Sequence, residues 1–230
     1  MLPAQRDYID TKIEIDKYFE FLKKIEDDYV ILSNLSDNTY TIDTELINIL
    51  KANAYLLLYN LVEATIKNSI WEVYESIRIE SVSYQKLRAE IQNITLHNKV
   101  KFDFKTKDET IANQVLKIVN HAFEDFSELF PKNKRNIAFE SGNLNIERIK
   151  QTFKSYGLTP ISQRHENQEE SFKTTLRNRN NLAHGDQTFK DCGKSKSFQD
   201  LDEIKMDIYD YLERILIEID DYISNKKYVI

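Results

Sequence analysis

The chain has 230 residues, 41% of them hydrophobic and 30% charged, with only four glycines and three prolines. This composition is typical of a soluble globular protein that buries its core without metals or disulfides, and the single cysteine, Cys192, has no partner for a disulfide bond. The net charge of −6 argues against a general nucleic-acid coat protein.

The N-terminal sequence and the cysteine content indicate a cytoplasmic protein. Met1-Leu2-Pro3-Ala4 leads directly into charged sequence, without the basic and then apolar pattern of a signal peptide. A single unpaired cysteine fits the reducing cytosol. We therefore expect a cytoplasmic chain that does not enter a membrane.

The first third of the chain predicts two long helices. Apolar residues recur every three or four positions, which predicts an N-terminal helix over residues 7–33, followed by a loop at 34–38. A second helix is predicted from Asp43 to Ile79. Its middle is apolar almost all round, which places it at the centre of a bundle. Polar residues interrupt the apolar stretch, which is therefore too short to span a membrane.

The middle of the chain is less regular. We predict a short helix from Ser83 to Gln92, whereas the alternation at 96–105 leaves a short extended piece open. The stretch Thr106–Glu109 has the pattern of a capping box, which would begin a helix that Pro131 stops.

The last third predicts three more helices, at Asn145–Tyr156, Gln163–His184 and Asp200–Ser224. Gly157 and Gly185 follow the first two, where glycine commonly ends a helix. Basic loops are expected at 131–143 and 186–199. The whole pattern predicts an all-α helical bundle, formed as a single domain over residues 1–230 with its core at 43–225.

Charge is distributed unevenly along the chain. Residues 131–196 hold 13 Lys and Arg against 7 Asp and Glu, a surplus of +6, so the remainder carries −12. A basic segment in an otherwise acidic protein is typical of a protein that binds phosphate groups at one site. The alternative is that the basic segment is merely solvated surface.

One segment breaks the local rules for helices. Residues 177–184 contain two arginines, three asparagines and one histidine, although asparagine is a poor helix former. Elsewhere the sequence has no glycine-rich phosphate loop, no CxxC pair and no histidine spacing for zinc, so we expect neither a metal site nor a cofactor.

Residues 177–184 combine the groups that attack on a phosphodiester requires. An arginine can bond two phosphate oxygens at once, and histidine is the usual general base near neutral pH. The alternative is structural, because a histidine before a glycine is also favoured at the C-terminus of a helix by the helix dipole. The residues alone leave both readings open.

The segment resembles the R-x(4–6)-H signature of the HEPN superfamily, through Arg179, Asn180 and His184. Two further segments resemble the small stand-alone MAE-type HEPN proteins of prokaryotes. They are Tyr55–Lys67, which is similar to their central helix, and Ser141–Asn145 with Ile149 and Tyr156–Leu158, which is similar to the segment before their motif helix. The similarity extends over about residues 43–225.

The resemblance implies a helical homodimer that cleaves RNA without metal and leaves 2′,3′-cyclic phosphate ends. It assigns proton removal to His184, phosphate binding to Arg179 and the orientation of one of them to Asn180. Such proteins often act as toxins or effectors in defence against phage. Other relatives are non-catalytic binding or regulatory modules, and a third alternative is the inhibited half of a toxin–antitoxin pair with a partner protein.

Three further residues are candidates for binding the substrate. Arg177 lies seven residues before His184, so a straight helix brings both to one face, whereas Arg179 lies well round the helix. We prefer Arg179 because it fits the signature, and keep Arg177 as a second phosphate contact. On the central helix, Glu63 and Lys67 can pair at i, i+4 spacing. That pair either is purely structural or lines the site.

Overall fold

The computed structural model describes residues 1–27, 31–33, 39–103, 130–134, 137 and 142–230. Its elements in chain order are α1 (Pro3–Asp27), β1 (Ile31–Ser33), β2 (Thr39–Thr41), α2 (Thr44–Ile79), a 3₁₀ turn (Tyr84–Lys86), α3 (Ala89–Asp103), α4 (Ile146–Ser155), α5 (Glu166–His184), α6 (Phe189–Gly193) and α7 (Phe198–Ser224). The fold class is all-α, as predicted, with β1 and β2 forming a small antiparallel hairpin.

Helix α2 is the centre of the bundle and is contacted by α1, α5, α6 and α7. The Asp43 side chain caps its first turn by accepting a hydrogen bond from the Leu46 N–H at 2.8 Å. Neither glycine nor proline interrupts its 36 residues. Side chains on several sides of α2, including Ala52, Ala54 and Leu58, are completely buried, as the apolar middle of this helix predicts.

Helices α5 and α7 pack antiparallel beside α2 and are joined by polar contacts. The Gln168 amide donates to the Asp210 carboxylate at 2.9 Å, and the Ser171 hydroxyl donates to Asp207 at 2.6 Å. A capping box formed by Ser197 and Asp200 begins α7. These contacts fix the orientation of α5, the helix that carries the Arg/His segment.

The short helix α6 corrects the expectation of a loop over residues 186–199. The Thr188 hydroxyl caps it by accepting from the Asp191 N–H at 3.2 Å. A Cβ atom on Gly193 would lie 1.8 Å from the backbone oxygen of Asn48, so only glycine allows this approach to α2. Cys192 is completely buried there, and burial raises the pKa of its thiol.

The N-terminal helix and the middle segment also differ from expectation. The helix predicted over 7–33 is Pro3–Asp27, and Ile31 pairs with Thr41 in the hairpin, where β-branched residues favour extended backbone. The extended piece that the sequence left open at 96–105 is helical up to Asp103, because α3 continues through these residues without a glycine or proline. Residues 104 and 105 lie outside the described residues. The predicted helix at 83–92 is instead the 3₁₀ turn and the start of α3.

Several other expectations are resolved or fall outside the described residues. The predicted loop at 34–38 and the predicted helix starting at 106–109 lie outside them. Gly157 and Gly185 follow α4 and α5 with φ of +70° and +76°, as predicted for helix-ending glycines. None of the helices in the described ranges has the length and continuous apolarity that a membrane span requires.

Candidate active site

Helix α5 remains helical through its asparagine-rich end because one side of it is buried. Phe172, Thr175 and Leu182 face the core, and Asn178 is only 7% exposed. Beyond His184, the Asp186 N–H donates to the Asn181 carbonyl at 2.9 Å, which closes the helix around Gly185. Asn178 therefore belongs to the chain's own core.

Arg179 lies against α2 and is held on two sides. Its guanidinium carbon is 4.7 Å from the centroid of the Tyr59 ring, a cation–π distance. Its Nη1 donates to the Asn180 side-chain oxygen at 2.9 Å. A Cβ atom added to Gly142 would lie 3.7 Å from the same Nη1. Arg179 is thus fixed between Tyr59, Asn180 and the turn at Gly142, and remains partly exposed.

Tyr59 connects α2 with the segment that precedes α4. The ring is 1% exposed, and the hydroxyl accepts a hydrogen bond from the Leu144 N–H at 3.1 Å. Burial raises the pKa of this hydroxyl, and the Leu144 backbone and the Arg179 charge oppose the rise. A tyrosine hydroxyl is already neutral at physiological pH, and the raised pKa moves its ionisation further away, so the ring presents an uncharged face to Arg179.

Glu63 and Lys67 form the predicted ion pair on α2, with 3.7 Å between the Lys67 Nζ and a Glu63 carboxylate oxygen. Both side chains are partly exposed, at 23% for Glu63 and 27% for Lys67. Glu63 is near enough to Tyr59 for its charge to raise the pKa of that hydroxyl. An exposed pair of this kind contributes about 0–1 kcal/mol to stability, so its position beside Tyr59 matters more than its strength.

His184 and Arg177 lie on the exposed side of α5. At about 100° per residue, His184 is about 140° round the helix from Arg179 but within about 20° of Arg177. Among the hydrogen bonds and ion pairs of the described ranges, none joins Arg179 to His184. A single chain therefore brings Arg179 together with Asn180 and Tyr59, while His184 points to solvent.

In the part of the chain that the structure describes, the other histidines and the acidic residues form no second centre. His165, at the other end of α5, lies 3.3 Å from an Asp207 carboxylate oxygen and is exposed, whereas His121 is outside the described residues. Within the described ranges, no three His, Cys, Asp or Glu side chains are arranged to hold a metal ion.

Two participants in the site were not assigned from the sequence. The apolar pattern of α2 predicts only that Tyr59 is buried, whereas the structure shows that its ring also supports Arg179. The sequence spacing does indicate a role for Tyr59, because it precedes the candidate residue Glu63 by four positions and therefore lies on the same side of α2. Apart from the family resemblance of its segment, nothing in the sequence predicts that Gly142 lies near Arg179, because this proximity depends on tertiary packing.

Comparison with known proteins identifies the family. No curated protein matches the chain, and no solved structure matches it. The family model described as MAE_28990-like HEPN matches residues 5–228, which is nearly the whole chain. The match agrees with the all-α fold and includes both α2 and the Arg179–His184 segment. The chain therefore belongs to the MAE_28990-like HEPN family.

Proposed function

We propose that the protein is a metal-independent RNA endonuclease. The His184 imidazole takes the proton from a ribose 2′-hydroxyl, and the 2′-oxygen attacks the adjacent phosphorus. A bond from phosphorus to the 2′-oxygen forms as the bond to the 5′-oxygen breaks, and an imidazolium returns a proton to that leaving oxygen. The products are a 2′,3′-cyclic phosphate and a 5′-hydroxyl.

The observation that carries the proposal is the fixed guanidinium of Arg179. A phosphoryl group gains negative charge in the transition state, and a cation that is already in place stabilises that charge without reorganising. Asn180 and Tyr59 hold Arg179 in position while leaving it partly exposed. His184 is exposed in the same helix, where its imidazole is accessible to a substrate.

We propose further that the active site is shared between two chains of a homodimer. Because Arg179 and His184 diverge by about 140° on α5, one chain does not direct both at a single phosphate. Two copies related by a two-fold axis would supply a base, an acid and two cationic groups to one cleft, and two-fold dimers are the commonest assemblies. The basic surplus of 131–196 would then be doubled around the RNA.

Arg177, Glu63 and Lys67 are proposed to line the path of the substrate. Arg177 is exposed on the His184 face and is a second phosphate contact in this proposal. Glu63 lies near Tyr59, whose ring supports Arg179, and Lys67 pairs with Glu63. The proposed biological role is that of a toxin or defence effector, controlled by an antitoxin or another partner protein.

The test is incubation of the purified protein with RNA in excess EDTA. We expect cleavage with 2′,3′-cyclic phosphate ends, and no cleavage of an oligonucleotide with 2′-deoxyribose throughout. Cleavage that requires added divalent metal would contradict the mechanism. RNA that binds to the wild type but is never cut would favour the alternative of a non-catalytic binding module.

A further inference from the structure

The Tyr59 side chain joins three parts of the chain that are distant in sequence. Its ring lies under the Arg179 guanidinium, with 4.7 Å between the guanidinium carbon and the ring centroid. Its hydroxyl accepts the Leu144 N–H at 3.1 Å. α2, the segment 142–145 and α5 therefore meet at one buried side chain.

The burial of Tyr59 makes both contacts stronger than they would be at the surface. The side chain is 1% exposed, so water does not compete for the ring face or for the hydroxyl. A cation over a desolvated ring is held more tightly than one at an exposed site. The Leu144 N–H is itself buried with its residue and would lack this partner without the hydroxyl.

The turn at Gly142 completes the enclosure of Arg179. Its φ of +90° lies in the left-handed region, which a residue with a Cβ atom rarely adopts. This backbone approaches the Arg179 Nη1 closely enough that an added Cβ would make van der Waals contact at 3.7 Å. Leu144, whose N–H bonds to Tyr59, is two residues after Gly142. Tyr59 therefore anchors both the turn and the Arg179 side chain.

We propose that Tyr59 is a positioning residue for the cleavage reaction, acting through Arg179 on one side and through the turn at 142–144 on the other. The proposal rests on the proposed ribonuclease function. It assigns no proton transfer to the tyrosine. Its ring determines where the phosphate-binding guanidinium stands, and its hydroxyl determines where the adjacent backbone stands.

Two matched pairs of variants test the role of the ring and of the hydroxyl. Tyr59→Leu removes the ring under Arg179, and Tyr59→Phe removes only the hydroxyl. The controls are Tyr74→Leu and Tyr74→Phe, because Tyr74 is also completely buried in α2 and its hydroxyl donates to the hydroxyl of Tyr156 at 3.2 Å. The readouts are kcat and KM for RNA cleavage, with the folded fraction of each variant measured by circular dichroism.

Per folded molecule, Tyr59→Leu should lower kcat/KM roughly tenfold or more, and Tyr59→Phe roughly threefold to tenfold. Both Tyr74 controls should stay within about twofold of the wild type. The pH profile of Tyr59→Phe should match that of the wild type, because the hydroxyl transfers no proton. If Tyr59→Leu does not fold, the comparison of Tyr59→Phe with Tyr74→Phe decides the question.

A double-mutant cycle identifies Arg179 as the route of the effect. Affinity for an RNA with 2′-O-methyl groups throughout, which cannot be cleaved, should fall severalfold in Tyr59→Leu. In an Arg179→Ala background the same change should have less than about a twofold effect. Equal losses in both backgrounds, or Tyr59 and Tyr74 variants that behave alike, would overturn the positioning role while leaving the ribonuclease intact. A wild type that neither binds nor cuts RNA would overturn both.

Discussion

Replacing Arg179 with alanine should remove most of the cleavage activity while lowering the stability of the fold only slightly. The side chain makes two measurable contacts, the stack on Tyr59 and the bond to Asn180. These contribute about 0.5–2 and about 0.5–1.5 kcal/mol in general, and the partial exposure of Arg179 keeps both contributions below their upper ends. We therefore expect Arg179→Ala to lose about 1–2 kcal/mol of unfolding free energy, which lowers the melting temperature by roughly 2–8 °C.

The same change should abolish most of the cleavage. Removing one group that stabilises transition-state charge lowers kcat by about 100-fold to 1000-fold, which no stability loss of this size explains in a chain that is still folded. Circular dichroism gives the melting temperature, and single-turnover cleavage in EDTA gives the rate. Both measurements use the same preparation.

Arg177→Ala is the matched control, because it removes the same side chain two residues earlier on the same helix. Arg177 is exposed, so its loss should change stability by less than about 0.5 kcal/mol. As a second phosphate contact it should weaken cleavage by less than about tenfold. An inactive Arg177→Ala beside an active Arg179→Ala would refute the assignment of the essential arginine.

Four other outcomes can be checked directly. His184→Ala should abolish cleavage, and growth arrest on expression in bacteria, with an unchanged melting curve, because the side chain is exposed. Light scattering at micromolar protein should give twice the 27.3 kDa chain mass, and a monomer would contradict the shared site. Gly193→Ala should lower unfolding free energy by about 1–3 kcal/mol in urea, since its Cβ would overlap the Asn48 backbone. Glu63→Gln and Lys67→Met should each change stability by less than about 1 kcal/mol, so a large loss of cleavage would indicate contact with substrate.

The sequence predicted the parts of the fold that depend on long periodic patterns. α2 was expected from Asp43 to Ile79 and is observed from Thr44 to Ile79, because many apolar residues repeat the same signal. The hairpin was missed because strands of three residues are too short to show alternation. α6 was missed because its packing depends on one absent side chain, at Gly193, against a residue of α2 far away in sequence.

The residues of the candidate site can be selected from the sequence, but their geometry cannot. The unusual run of asparagine, arginine and histidine marks the segment, and the family match includes it. The environment of Arg179 could not be derived this way. It requires Tyr59 and Gly142 to meet α5 in space, and the periodicity of α2 identifies Tyr59 only as a buried residue.

The stacked and hydrogen-bonded state of Arg179 has an entropic consequence. A free arginine side chain loses about 1.5–2 kcal/mol of rotamer freedom when it is ordered. In this protein much of that freedom is already lost on folding, because the Tyr59 ring and the Asn180 oxygen hold the guanidinium before any substrate arrives. A phosphate that binds there meets an ordered group and needs no rearrangement of this side chain. If the proposed shared site is correct, control would act on the pairing of the two chains or on access of RNA, because the Arg179 side chain is already ordered.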